Sequence, residues 1–156
     1  ATGGARAMSA SSSAGNLLVQ VVKRLPAFSL EVDWRGGDEV VALSVVDDNS
    51  TLLTVCENGY GKRTVVSEYR RQTRGGIGLK NVQTSDRNGP VVGISCVSDR
   101  HELFLVTEQG QIIRMKAGDL RPIGRDTQGV KLMDLAEGDR LVSLATLIEP
   151  EDDPGV

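Results

Sequence analysis

Apolar residues in this chain come in short runs rich in Val, Ile and Leu, with polar or glycine-bearing breaks between them. Residues 40–46 and 52–56 are two such runs, parted by Asp47-Asp48-Asn49-Ser50. Asn58-Gly59 follows, a pair that supplies the left-handed backbone of a tight hairpin turn, and residues 62–66 read as the returning strand. A basic loop over 67–76 leads into another strand candidate at 77–82, and the turn at 86–90 carries a second Asn-Gly. Upstream, residues 29–34 alternate as a strand closed by Arg35-Gly36-Gly37-Asp38, while Lys23-Arg24 and Pro26 interrupt any longer element before them. No stretch holds the 3.6-residue period of a convincing amphipathic helix, so the expected fold class is all-β.

The pattern then recurs. Shifted by 51 residues, positions 40–80 align with 91–131 without a gap, and 14 of the 41 pairs are identical. They include Glu57/Glu108, Gly59/Gly110, Arg63/Arg114, Arg70/Arg121, Arg74/Arg125, Gly78/Gly129 and Lys80/Lys131. Arg140-Leu141-Val142-Ser143-Leu144 resembles the opening strand of a third copy, about 50 residues further on. About four short strands per unit at this period describe a propeller-like or pinwheel array of four-stranded blades. The chain would supply about three blades, an incomplete ring. The expected organisation is a leader at 1–15, a partial array at 16–147 with units at 40–80, 91–131 and from 140, and an acidic tail at 148–156. Open blade edges attract other strands, so a partner or self-association is expected.

Composition narrows the chemistry. With 3% aromatic residues the core must rest on Val, Leu and Ile. No apolar run approaches the roughly 18 residues of a membrane span, so no membrane partner is expected. Cys56 and Cys96 each lie in an apolar run and read as small core residues of a protein in a reducing, cytoplasmic compartment. A single histidine, His101, with no Cys-x-x-Cys, offers no metal site. The net charge of −3 conceals an uneven distribution: residues 62–131 hold thirteen basic and seven acidic side chains, residues 132–156 one basic and seven acidic. A basic middle with an acidic end predicts a polyanion-binding face beside a modulating tail. Neighbouring blades present equivalent positions on one rim, so the recurring cations would form a belt that suits bent duplex DNA, held by phosphate neutralisation without base contacts. The candidate DNA-binding residues are Lys62, Arg63, Arg70, Arg71, Arg74, Lys80, Arg114, Lys116, Arg121, Arg125 and Lys131.

At Glu57-Asn58-Gly59-Tyr60-Gly61-Lys62-Arg63-Thr64, Ser67-Glu68-Tyr69-Arg70-Arg71, Arg87-Asn88-Gly89 and Gly124-Arg125-Asp126-Thr127-Gln128-Gly129-Val130 the chain resembles a known family, the C-terminal domain of the A subunit of bacterial DNA gyrase. The resemblance runs from about residue 36 to 147 and implies a β-pinwheel whose neighbouring blades exchange strands, with duplex DNA wrapped around a perimeter that includes Arg63, Arg70, Arg71, Arg74, Arg114, Arg121 and Arg125. It further implies a place in a supercoiling holoenzyme with the rest of the A subunit and the B subunit, ATP and magnesium being held on other domains, and a nucleoid-associated location. The family's Gln-Arg-Arg-Gly-Gly-Lys-Gly type box is absent; residues 72–78 are a faint echo of it. Tyr60 and Tyr69 lack the winged-helix and acidic surroundings of a DNA-cleaving tyrosine, and no Gly-x-x-x-x-Gly-Lys loop is present, so no catalytic, cofactor or metal residues are expected in this chain. The alternatives are a propeller-like protein-interaction module and a topoisomerase IV-type C-terminal domain.

Overall fold

A computed structural model describes residues 40–73 and 77–148. The leader, the strand expected at 29–34, Arg74 with its two following glycines, and the acidic tail lie outside the described residues.

Two hairpins set the architecture. β1 (Thr51–Cys56) turns at 57–59 into β2 (Tyr60–Val65), and after β3 (Val91–Val97) the chain repeats the motif as β4 (His101–Thr107) and β5 (Ile112–Lys116). Thr51 stands opposite Val65 in the first hairpin and Glu102 opposite Lys116 in the second, the same register 51 residues later. Even the irregularities recur, with register breaks at Val55/Cys56 and Val106/Thr107. β6 (Val130–Lys131) and β7 (Leu141–Ile148) complete the strands. β7 is the third copy's opening strand expected from residue 140. No helix among the described residues is long and apolar enough to cross a membrane.

The sheets do not follow the repeat boundaries. One has the order β3-β1-β2-β6 and the other β5-β4-β7, so the first hairpin is flanked on both sides by strands of the next repeat, and the second, among the described residues, on one side. This exchange corrects two expectations. Of residues 40–46 only Val45 makes a bridge, and of 77–82 only Val82, which meets Thr127. These segments correspond to β3 and β6, which pair with the repeat before their own, and no such preceding hairpin is present among the described residues. The second sheet likewise shows three strands there instead of four.

The two sheets pack face to face. Leu53 and Val97 of the first meet Leu103 of the second together with Ala117 and Leu120, and Val55 meets Leu105, Leu141 and Met133. Each such large side chain taken fully from water contributes roughly 1.5–3 kcal/mol. On its other face the first sheet packs Leu52 against Val46, Val66 and Tyr69. β6 comes so close to β2 that a Cβ on Gly129, at φ +80°, would lie 2.5 Å from the Gly61 carbonyl oxygen. Only glycine fits there, since both the backbone conformation and the space exclude a side chain.

Candidate nucleic-acid interface

Each returning strand ends in a single 3-10 turn, Val66–Glu68 after β2 and Ala117–Asp119 after β5. The turns close identically: the Tyr69 amide donates to the Val66 carbonyl at 2.9 Å and the Leu120 amide to the Ala117 carbonyl at 3.1 Å. Tyr69 and Leu120 are thereby turned into the core, and the next residue, Arg70 or Arg121, is turned out to solvent. Arg71 is also exposed and stands 3.6 Å from the exposed Asp48, a pairing worth little in water. Lys80 and Lys116 are exposed, as is Lys131, which pairs with Asp134.

Two members of the sequence-derived set are withdrawn from solvent, a correction to the expected perimeter. Arg63 is 5% exposed: its Nε donates to Thr51 Oγ1 at 2.6 Å, its Nη1 to the carbonyls of Ala117 (2.7 Å) and Leu120 (3.3 Å), and its Nη2 pairs with Asp99. It therefore joins one blade to the 3-10 turn of the next. Lys62 is 1% exposed and donates from Nζ to the Gly124 carbonyl at 2.9 Å. Burial, opposed by the nearby Glu68 carboxylate, brings its pKa down from 10.5 to about 8.

Arg114 occupies the place of Arg63 one repeat later and has different surroundings. Its side chain is 63% exposed and forks onto Glu102, Nε to Oε2 at 2.9 Å and Nη2 to Oε1 at 2.5 Å. The neighbouring 3-10 turn that covers Arg63 has no counterpart over Arg114 among the described residues. Arg125 is half-buried, its guanidinium 5.9 Å from the centre of the Tyr69 ring. That ring is buried, with its hydroxyl on Asn81 Oδ1 and its pKa pushed up by burial to about 12. Asn81 in turn donates to Thr54 Oγ1 at 2.7 Å, so a buried chain of hydrogen bonds runs beneath the basic loop.

The sequence-derived set passes over three described arginines, Arg87, Arg100 and Arg140. Arg87 lies 4.9 Å above the ring of Tyr60, the residue that faces Lys131 across the β2–β6 pair, but the counterpart of Arg87 one repeat on is Gly138. Arg140 donates to both oxygens of Glu108 at 2.9 Å and to Glu57 at 3.2 Å, tying the tips of successive hairpins together. Its pairing with two recurring acids could have been suspected from Glu57/Glu108; the cation–π contact of Arg87 had no signal in the sequence. Among the described residues no group of three or more His, Cys, Asp or Glu side chains stands together as a metal site requires.

Comparison with known proteins agrees with this architecture. The family model for the DNA gyrase C-terminal domain, a β-propeller, matches residues 50–98 and 101–147. The DNA gyrase A subunit of Chlamydia pneumoniae is 43% identical over 119 residues, 76% of this chain and 14% of the relative. That of Staphylococcus epidermidis (strain ATCC 12228 / FDA PCI 1200) is 46% identical over 124 residues, 78% of this chain and again 14% of the relative. The chain thus spans a small part of the length of these curated relatives. A solved DNA gyrase A C-terminal domain superposes with a TM-score of 0.61 at 34% identity, over 67% of this chain and 36% of that one. The C-terminal domain of DNA topoisomerase IV shares the fold, with a TM-score of 0.57 at 21% identity over 65% of this chain and 32% of that one.

Proposed function

The chain belongs to the DNA gyrase C-terminal domain family, and on that premise we propose that it is part of a gyrase A subunit and binds duplex DNA along the edge on which Arg70 and Arg121 stand. The observation that carries this reading is their equivalence: two exposed arginines, each directly after the same 3-10 turn, on successive blades. Arg71, Lys80, Lys116 and Lys131 extend the basic edge, with Arg114 lying across its own blade, and Arg74 is a candidate by sequence alone. Arg87, above Tyr60, adds a cation the recurrence does not predict. Lys62 and Arg63 hold the blades together from within.

Such an edge attracts DNA by neutralising phosphates and releasing counterions, and reads the bendability of the duplex in place of its bases. Bending a 20–30 bp site costs on the order of 1–6 kcal/mol, which several phosphate contacts offset. DNA curved in one sense by these blades would give direction to strand passage carried out by other domains of a gyrase holoenzyme, where ATP and magnesium belong. The partners are then duplex DNA, the remainder of the A subunit and the B subunit, in the cytoplasm and on the nucleoid.

Titration of duplex binding against salt tests this. The log of the binding constant should fall against log salt with a slope of several units if about six phosphates are contacted. Reversing both Arg70 and Arg121 to Glu should weaken binding at low salt by about tenfold or more while leaving the unfolding temperature unchanged. A flat salt response, or no binding at low salt, rejects the reading. A second reading, a protein-interaction blade, is favoured by Ile112 on β5 and Leu147 on β7, exposed on one face of the second sheet, and by the outer edge of β5, which pairs with no strand among the described residues. Self-association through that edge would show as concentration-dependent mass insensitive to DNA.

A further inference from the structure

We infer that Arg125 is a positioning residue that holds the basic loop of the preceding repeat in place, and that it is not itself one of the cations that meet the polyanion. The functional half of this inference rests on the DNA-binding reading above.

Arg125 sits on a segment that laces the second repeat onto the first. The Ile123 amide donates to the Arg63 carbonyl at 2.8 Å, the Asp126 amide to the Asn81 carbonyl at 2.8 Å, the Gln83 amide to the Thr127 carbonyl at 3.0 Å, and Asn88 Nδ2 to the Gln128 carbonyl at 3.0 Å. Within that lacing, every described contact of Arg125 goes to the loop before it. Its backbone amide donates to Glu68 Oε2 at 3.0 Å, its Nη1 to the Lys80 carbonyl at 3.0 Å, and its guanidinium lies over Tyr69. Its Nε is buried without a partner, so that donor is also withheld from a ligand.

Glu68 and Tyr69 immediately precede Arg70, and Lys80 is the last recurring cation of that repeat. Arg125 therefore grips the two ends of the stretch that carries the exposed charges of the first blade. A planar fork can reach a carbonyl and lie along a ring at once; a lysine ammonium cannot. The substitution Arg125→Lys keeps the charge and the backbone amide's bond to Glu68 but removes the side-chain part of the grip, on the Lys80 carbonyl and the Tyr69 ring, which separates the two roles.

The experiment uses the whole chain with three variants: Arg125→Lys, Arg125→Gln, and Arg125→Gln on an Arg70→Ala/Lys80→Ala background, whose Lys80 carbonyl is retained. In the absence of DNA, amide exchange at residues 68–73 and 79–81 should be about tenfold faster in both single variants. With a short duplex, both should lower the salt slope by about two units or more, because the loop's own contacts are lost together. On the double-alanine background Arg125→Gln should weaken binding less than about twofold further. Three results overturn the inference: unchanged exchange, wild-type affinity and slope in Arg125→Lys, or a loss of about one slope unit for Arg125→Gln on either background, the mark of a single direct phosphate contact. A merely destabilising change would lower the unfolding temperature and leave the slope alone, which also counts against it. If the unaltered chain binds no duplex, the DNA reading falls and the exchange data alone decide the grip.

Discussion

Replacing Arg63 by Met removes a donor to Thr51 Oγ1 and to the carbonyls of Ala117 and Leu120, of which Ala117 keeps its bond from the Leu120 amide, while releasing Asp99, 78% exposed, harmlessly to water. The expected cost is about 2 kcal/mol, most of it from the Leu120 carbonyl left without its donor. The same change at Arg114, whose pairing with Glu102 is solvent-facing on the arginine side, should cost under about 1 kcal/mol. Denaturant midpoints at unchanged m-values check the pair, and equal costs would refute the difference in setting. Lys62 yields a pH signature. Its folded pKa of about 8 lies below the usual 10.5, so between these values the unfolded chain holds a proton the folded one has lost, and stability rises with pH. Burial moves Cys56 the other way, from 9.0 to about 11, and that group takes stability away above pH 9. The lysine is therefore read between pH 8 and 9, where stability should increase and where Lys62→Met should abolish the slope; a slope surviving in the variant would exclude Lys62 as its source. Recurrence in the sequence marked Arg63 and Arg114 as alike, and it could not tell inward from outward. That depends on whether the next blade lies over the side chain, and no local pattern encodes it.

Among elements, the hairpins were legible because their causes are local: β-branched alternation, Asn58-Gly59 at the turn, and a fixed register through each pair. The sheet each flanking strand joins was not, because β3 and β6 pair with strands of a repeat that lies earlier in the chain. β6 is two residues long and carries almost no strand pattern of its own. What holds it is proximity to β2, and glycine makes that proximity possible. Gly129→Ala should accordingly cost several times more stability than Gly110→Ala, which has the same kind of backbone (φ +87°) with nothing within 4 Å of its missing Cβ. The latter bears only the left-handed conformation, about 1 kcal/mol. Thermal unfolding of the two variants should separate them by several degrees; similar shifts would mean that β6 does not constrain β2.

At the scale of the molecule, the sequence disclosed the repeat, the all-β class and the family, since self-similarity and motif spelling need no coordinates. It disclosed a basic region too, but charge alone exaggerated the edge by counting Lys62 and Arg63, which the blades enclose. The path of the chain between sheets has a mechanical consequence. It builds β1, β2 and β3 in one sheet, crosses to β4 and β5 in the other, returns for β6, and crosses again for β7. This is a back-stitch. A cut in the loop between β5 and β6 leaves each fragment with strands in both sheets, so the seam does not open from that single broken thread. Tension from a duplex bound as proposed would likewise pass from one blade to its neighbour through continuous backbone, not only through side-chain contacts.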